Sequence, residues 1–280
     1  MIEFFIPLAD WVNSLFEVIN YYISPAMRSL SSSLEQLIQG FEDILLWPPE
    51  FVVMLLIGLL IWRLAGTRLA IFAVLGLLAT FGMQIWEETV ATIALALSGT
   101  AISLFFGIPL GILASQNNVA EKIIRPILDL MQTLPSFVYL IPAVMFFGMG
   151  KVAALAATMI FAMPPAVRLT NLGIRGVSKE MIEAARAFGS SRWNMLIDVQ
   201  LPLALPTIMA GVNQCIMMSL SMTVIASMIG ADGLGLVVLK SMQRLDVGMG
   251  TVGGLGIVIL AVTLDRLTES IAKKQELSKK

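Results

Sequence analysis

Few residues of this chain could do chemistry, and their distribution limits which kind. There is no histidine, and the single cysteine, Cys215, stands inside an apolar run. That removes disulfides, zinc sites and histidine-dependent catalysis, and leaves Cys215 as a small core residue. Gly150-Lys151 lacks the upstream glycine of a phosphate-cradling loop and is followed by Val152, so it reads as a turn with a chance cation. No cluster of acids, bases or metal ligands suited to a membrane enzyme is visible. What stands out is one polar stretch in an otherwise apolar sequence, Ser178 to Pro202.

Within that stretch Ser178 reads as an N-cap, with Glu180 in the first turn where a carboxylate suits the helix dipole. Met181, Ala184, Ala185 and Phe188 follow at i, i+3, i+4, i+7, which marks a short amphipathic helix. Gly189 can take the left-handed conformation that stops it, and Ser190-Ser191 can start another helix. Pro202 marks the transition into the next apolar run. The reading is a helix-turn-helix elbow on a membrane surface; the alternative is an ordinary amphipathic loop helix.

Glu183-Ala184-Ala185, Gly189, Val199 and Leu201-Pro202 stand at the spacing E-A-A-x3-G-x9-I-x-L-P, with Val199 for Ile as the one departure. This resembles the EAA loop of ABC importer permeases. In that family two permease copies form the pathway, and each elbow sits in a cleft of a separate ATPase subunit whose closure drives alternating access. The resemblance implies that Glu183, Ala184, Ala185 and Gly189 form the coupling helix and its turn, and that Leu201 and Pro202 tie the elbow to the next span. ATP and magnesium would belong to the partner ATPase, with no cofactor and no metal in this chain, which would not itself be an enzyme.

The rest of the chain must present that elbow from a membrane. Of 280 residues, 58% are hydrophobic and 13% charged, against about a quarter charged in a soluble domain. The formal net charge of −1 argues against nucleic acid as a partner. The fold expected is all-α, a polytopic membrane bundle. Glu3, Asp10 and Glu17 stand where a signal peptide would carry cations.

In chain order, 1–46 holds two amphipathic patterns separated by Pro25. Asp10, Asn13, Glu17 and Asn20 oppose Trp11, Leu15, Ile19 and Tyr22; then Leu30, Leu34, Leu37, Ile38 and Phe41 oppose Ser31, Glu35, Gln39 and Glu42. Neither reaches the ~20 apolar residues of a span, so each lies in the interface or packs on the protein's own flank. After Trp47-Pro48-Pro49, residues 47–86 carry two accessory spans, Phe51–Trp62 with borrowed ends and Leu69–Ile85. The segment 87–268 reads as a five-span core: Thr89–Ala114 with Gly107 and Gly111 at a GxxxG spacing read as close packing inside the bundle, Leu134–Met149 after a mixed polar and apolar approach at Glu121–Gln132, Val152–Val167 ended by Pro164-Pro165, a sixth span within Leu203–Ile229, and Thr251–Leu264. Gly230–Gly248 is a glycine-rich re-entry with an amphipathic piece, Leu236–Leu245, and 269–280 is a charged tail. Seven spans are expected, with six or eight as the alternatives.

From about Trp86 to Thr268 the chain resembles type I importers, and most of all the glycine betaine/proline betaine permeases of osmoprotectant uptake. Met131–Ser136, Met163–Thr170 and Ile229–Gly235 carry that likeness. It implies homodimeric permeases in a bacterial-type cell membrane, served by a separate extracytoplasmic binding protein and two ATPase copies. The residues leave the substrate pathway unassigned: Trp11, Trp47, Trp62, Trp86 and Trp193 fall at interfaces or in the elbow, and Tyr139 is the core's only tyrosine, so no aromatic cage for a quaternary ammonium is visible. Met217, Met218 and Met222 are read as flexible packing rather than a ligand box. A permease of the amino acid or methionine type and a non-transport scaffold are the alternative functions.

Placing the C-terminus inside puts Arg63, Arg68, Lys122, Arg125, Arg168, Arg175, Lys179, Arg186, Arg192, Arg266, Lys273, Lys274, Lys279 and Lys280 in the cytoplasm, fourteen of eighteen cations. Arg28, Lys151, Lys240 and Arg244 remain outside. By the positive-inside rule the N-terminus is external and the elbow cytoplasmic. On a Cys215-free background, a cysteine replacing Ser190 is predicted to react with an impermeant thiol reagent only after the membrane is opened. One replacing Lys240 should react in intact cells, and the reverse pattern would invert the topology.

Overall fold

The computed structural model describes residues 7–277, except for the side chains of 8, 9, 20, 23–26, 28 and 275–277. Glu3, Lys279 and Lys280, and the side chains of Asn20, Pro25 and Arg28, therefore lie outside the described residues. Among those described, the regular elements are helices: α1 (Leu8–Leu46), α2 (Glu50–Ala65), α3 (Thr67–Gly82), α4 (Trp86–Gln116), α5 (Asn118–Thr133), α6 (Leu140–Phe147), α7 (Lys151–Arg175), α8 (Lys179–Ala187), α9 (Arg192–Asn194), α10 (Leu201–Ala226), α11 (Leu234–Arg244) and α12 (Val247–Leu277). Four are long and apolar enough to cross a membrane, and two bent pairs raise that to six. The 16-residue α3 is apolar but shorter.

Helix α7 occupies the centre, with α4 on one side and α10 on the other. Missing side chains allow the approach. A Cβ on Gly111 would stand 2.6 Å from Thr170 Cβ and 2.7 Å from the Val167 carbonyl oxygen, and one on Gly107 would stand 2.9 Å from Ala166 Cβ. The GxxxG pair thus serves packing within the bundle, as expected. On the other flank, a Cβ on Gly211 of α10 would meet Leu169 Cβ at 3.0 Å. Such close backbones replace the hydrophobic drive that lipid cannot supply. Helix α12 closes the bundle against α10, α3 and α2.

Several expected boundaries move, each time at a proline. Pro164-Pro165 does not end its span; α7 runs through both to Arg175. In a bilayer, neighbouring helices and side chains compensate for the lost hydrogen bonds. Conversely, Leu134–Met149 is not one helix. Leu134 is extended (φ −70°, ψ 137°) before Pro135, as the residue before a proline prefers. The chain then bends by 108° into a 3-10 turn, Ser136–Tyr139, and the eight-residue α6. Glu121–Gln132, expected as a mixed polar and apolar approach to the fourth span, lies within the helix α5. Trp47-Pro48-Pro49 does end its region, with a 100° bend into α2.

The N-terminal segment is one helix across position 25, not two. Its C-terminal half packs on the bundle through Leu34 and the fully buried Ile38, and the Phe16 ring packs at a tilt against Phe146 with centroids 4.7 Å apart. A second face leaves Trp11, Leu15, Val18, Tyr22 and Ile44 exposed. Flank packing and an exposed apolar face therefore coexist on one element.

Because the bundle turns on the α4–α7 approach, Gly111→Val is predicted to push the two helices apart and cost about 1–3 kcal/mol as overpacking. The thermal midpoint in detergent should fall clearly. Gly254→Ala, where a Cβ meets nothing within 4 Å, should leave it unchanged.

Candidate functional site

The polar stretch folds as a capped elbow. Helix α8 starts after Ser178, which holds the N-cap position without a side-chain cap bond, contrary to the expected one. It ends in a Schellman motif. Gly189 has φ +81°, its N–H donates to the Arg186 carbonyl at 2.9 Å, and the Ser190 N–H donates to the Ala185 carbonyl at 3.0 Å. Nothing lies within 4 Å of a Cβ built on Gly189, so the demand for glycine there is conformational. Ser191 then caps the following turn, its hydroxyl accepting from the Asn194 N–H at 3.1 Å.

From Arg192 onward the expected second elbow helix is not separate. The helix α9 passes through a π-helical segment, Met195–Gln200, directly into α10, giving a continuous Arg192–Ile229. Pro202 is therefore not a break: it sits inside the continuous helix, where the π-helical segment passes into α10. Leu196 is buried with Ile174, Ala204 and Ile208, and Leu201 packs against that cluster. These contacts anchor the elbow to α4 and α7.

Between its anchored ends the elbow is bare. No residue of α8 is buried; Glu183 and Ala184 are exposed and Ala185 is half-exposed. Phe188 is 91% and Trp193 67% exposed, and Arg186 and Arg192 are exposed beside them. The structure thus brings Glu183, Ala184, Ala185 and Gly189 together on a projecting turn, with Leu201 and Pro202 at its root. Such an exposed, anchored turn can dock a partner.

Ion pairs order both ends of the bundle. At the elbow end, Arg168 pairs with Asp129 at 2.6 Å and also donates to Gln132. Arg175 pairs with Glu121 at 3.0 Å and donates to the Ala114 carbonyl at 2.8 Å. The stretches 131–136 and 163–170 therefore meet, and a cleft of about 500 Å³ remains between α5 and α7. At the other end Lys151 is no chance cation. It pairs with Glu42 of α1 at 2.8 Å and with Asp232 at 3.4 Å, while Gly150 N–H donates to the Ile229 carbonyl at 2.9 Å. Sequence reasoning missed this network, because its members are 109 and 81 residues from Lys151; the only signal was a lysine and an aspartate each flanked by glycine. Within the bundle, Asn213 donates to Asp265 at 2.9 Å and accepts from Thr268. Helix α12 runs past the expected Leu264, so Asp265 and Arg266 are helical. Among the described residues no group of His, Cys, Asp or Glu could hold a metal ion, and Cys215 is fully buried.

Residues 107–276 match the family model described as binding-protein-dependent transport system inner membrane component. The chain is 45% identical over 268 residues to the glycine betaine/proline betaine transport system permease protein ProW of Escherichia coli, covering 96% of this chain and 76% of that one. It is 46% identical over 277 residues to the glycine betaine/carnitine transport permease protein GbuB of Listeria monocytogenes, covering 96% of each. The glycine betaine transport system permease protein OpuAB of Bacillus subtilis is 42% identical over 97% of this chain and 96% of its own. Among solved structures, an inward-facing MetNI methionine ABC transporter aligns with a TM-score of 0.64 at 19% identity, over 68% of this chain and 94% of that one. This last likeness speaks to the fold alone.

With φ at +81°, a β-branched residue at 189 is disfavoured by its backbone. Gly189→Val is predicted to abolish coupled uptake in a reconstituted system while the protein still inserts. Gly189→Asn, which tolerates the left-handed region, should keep much of it. Glu183→Ala should be mild because alanine is a good helix former. Full uptake by the Gly189→Val variant would remove Gly189 from the role of turn.

Proposed function

The chain belongs to the family of binding-protein-dependent transport system inner membrane components, and on that premise we propose that it is the permease subunit of an ABC importer for glycine betaine or a related quaternary-ammonium osmoprotectant. The observation that carries this reading is the bare elbow: a helix with no buried residue, ending in an exposed Phe188 and rooted in the buried Leu196 cluster. An apolar surface on so well-anchored a turn is suited to a protein cleft. Two copies of this chain form the pathway, and each elbow engages one copy of a cytoplasmic ATPase that holds the ATP and magnesium. Glu183, Ala184, Ala185 and Gly189 form the contact, and Leu201 and Pro202 connect it to α10. An extracytoplasmic binding protein delivers the solute to the opposite face, near the Lys151 network.

The orientation follows from the charges, with the N-terminus external and the C-terminus cytoplasmic. The substrate reading is supported by the names of relatives that align over nearly the whole chain at 42–46% identity. The methionine transporter, at 19% identity, supports no substrate.

The test is stepwise reconstitution. The permease alone is predicted not to hydrolyse ATP and to bind glycine betaine too weakly for calorimetry. Adding the ATPase should give hydrolysis, and adding the liganded binding protein should couple it to uptake. Exchanging the binding protein for one of different specificity that still docks should change the transported solute. Micromolar betaine binding by this chain alone, or selectivity unmoved by the exchange, would place recognition in the membrane.

A further inference from the structure

The exposed face of α10 carries a feature that the elbow does not use. Leu203, Ala210, Gln214, Ser221 and Met228 are all exposed. They follow one another by seven, four, seven and seven residues, so at 100° per residue they lie within about 40° of one line along the helix. Gln214 lies midway between the helix ends Leu201 and Ala226 and makes no hydrogen bond with any described residue. Its neighbour Asn213, on the α12 side, donates to Asp265 and accepts from Thr268. A half-buried amide is therefore paired inside the bundle, while the next one, one hundred degrees round, is left open. A primary amide aimed into hydrocarbon is costly, so this face does not front lipid.

We propose that Gln214 and Ser221 of α10, facing their counterparts on a second copy of this chain, line the translocation pathway and act as successive weak stations for a small zwitterion. This rests on the proposed function for the pairing of copies and the solute class. The Gln214 amide offers two N–H donors to a carboxylate and a carbonyl dipole to the cationic end. It is neutral, so it solvates both charges of a zwitterion without trapping either. Ser221 stands seven residues on, about 10 Å along the helix, and its hydroxyl, now donating to the Met217 carbonyl at 3.0 Å, retains acceptor capacity for ammonium methyls. The half-buried Met217 and Met218 flank the stripe and supply polarizable apolar contact.

The experiment uses the complete complex of permease, ATPase and binding protein in proteoliposomes. On a Cys215→Ala background, Gln214→Cys should react with a methanethiosulfonate reagent bearing a trimethylammonium group, and excess glycine betaine should slow that reaction. Phe105→Cys, at a side chain 72% exposed on α4 and outside the stripe, should stay inert. Gln214→Met keeps the side-chain length without the amide and should lower betaine uptake roughly tenfold, the loss of one charge-assisted hydrogen bond, with the ATPase still co-purifying. Gln214→Glu should lower it further by repelling the carboxylate. No reaction at 214, equal reaction at 105, or wild-type uptake by Gln214→Met would each overturn the assignment; the first is the outcome for a dry amide contact between copies. Were the unmodified complex to take up no betaine while Gln214→Cys still reacted, the solute reading would fall and the pathway assignment would stand.

Discussion

The structure depends on how closely α7 is held by α4 and α10. Gly107 and Gly111 on one side and Gly211 on the other let backbones approach to distances at which a methyl group would already collide. Lipid removes the hydrophobic contrast between helix faces, so packing and hydrogen bonds between helices must hold the bundle. Ser103 of α4 donating to the Met159 carbonyl of α7 at 3.1 Å is one such bond. The tight three-helix unit also explains why Pro164-Pro165 can sit inside α7: the helix is supported from both flanks where its own hydrogen bonds are missing.

Around that unit the charges sort to the two ends, and each set ties peripheral elements to α7. The pairs of Arg168 and Arg175 hold α5; Lys151 holds α1 and the loop that leads into α11. None of these side chains is deeply buried, so each pair individually contributes little. Their value lies in placement, since they fix which helix lies beside which where the apolar surfaces alone would allow sliding. The 108° bend after α5 leaves that helix without a straight continuation, and the two arginines supply its attachment.

What was legible in the sequence was local. The stop at Gly189, the cap at Ser191, the amphipathic face of α8 and the close-packing role of Gly107 and Gly111 each depend on residues within about one or two turns, and the structure agrees with them. What was illegible depended on context. A proline has opposite consequences in α7 and at Leu134-Pro135, because one is supported by neighbouring helices and the other follows a residue free to extend. The Lys151 network joins three distant segments, which no spacing rule connects. The N-terminal patterns suited both a flank and an interface because α1 carries one packed and one exposed apolar face, and a periodicity read as one apolar stripe against one polar stripe cannot show two apolar faces. Ser178 had the right residue type for a cap bond, yet its side chain does not make one.

The second arm of the elbow, from Arg192 onward, and the α10 stripe belong to one continuous helix, and this has a mechanical consequence. Trp193 and Gln214 are 21 residues apart on Arg192–Ile229, about 32 Å at α-helical rise. Between them lies the π-helical segment Met195–Gln200, one of the few places where a helix can change its phase without breaking. A helix is stiff along its axis, so a displacement imposed on the exposed turn by a docked partner must either be absorbed in that segment or move the Gln214 face. The buried Leu196 cluster restricts sideways give at the root, which favours motion of α10 together with the α7 it packs on. On the proposed function, the same geometry that leaves the elbow bare for an ATPase makes α10 the element through which closure reaches the pathway. Coupling then needs no relay of side chains, only two rigid copies whose α10 faces meet or part.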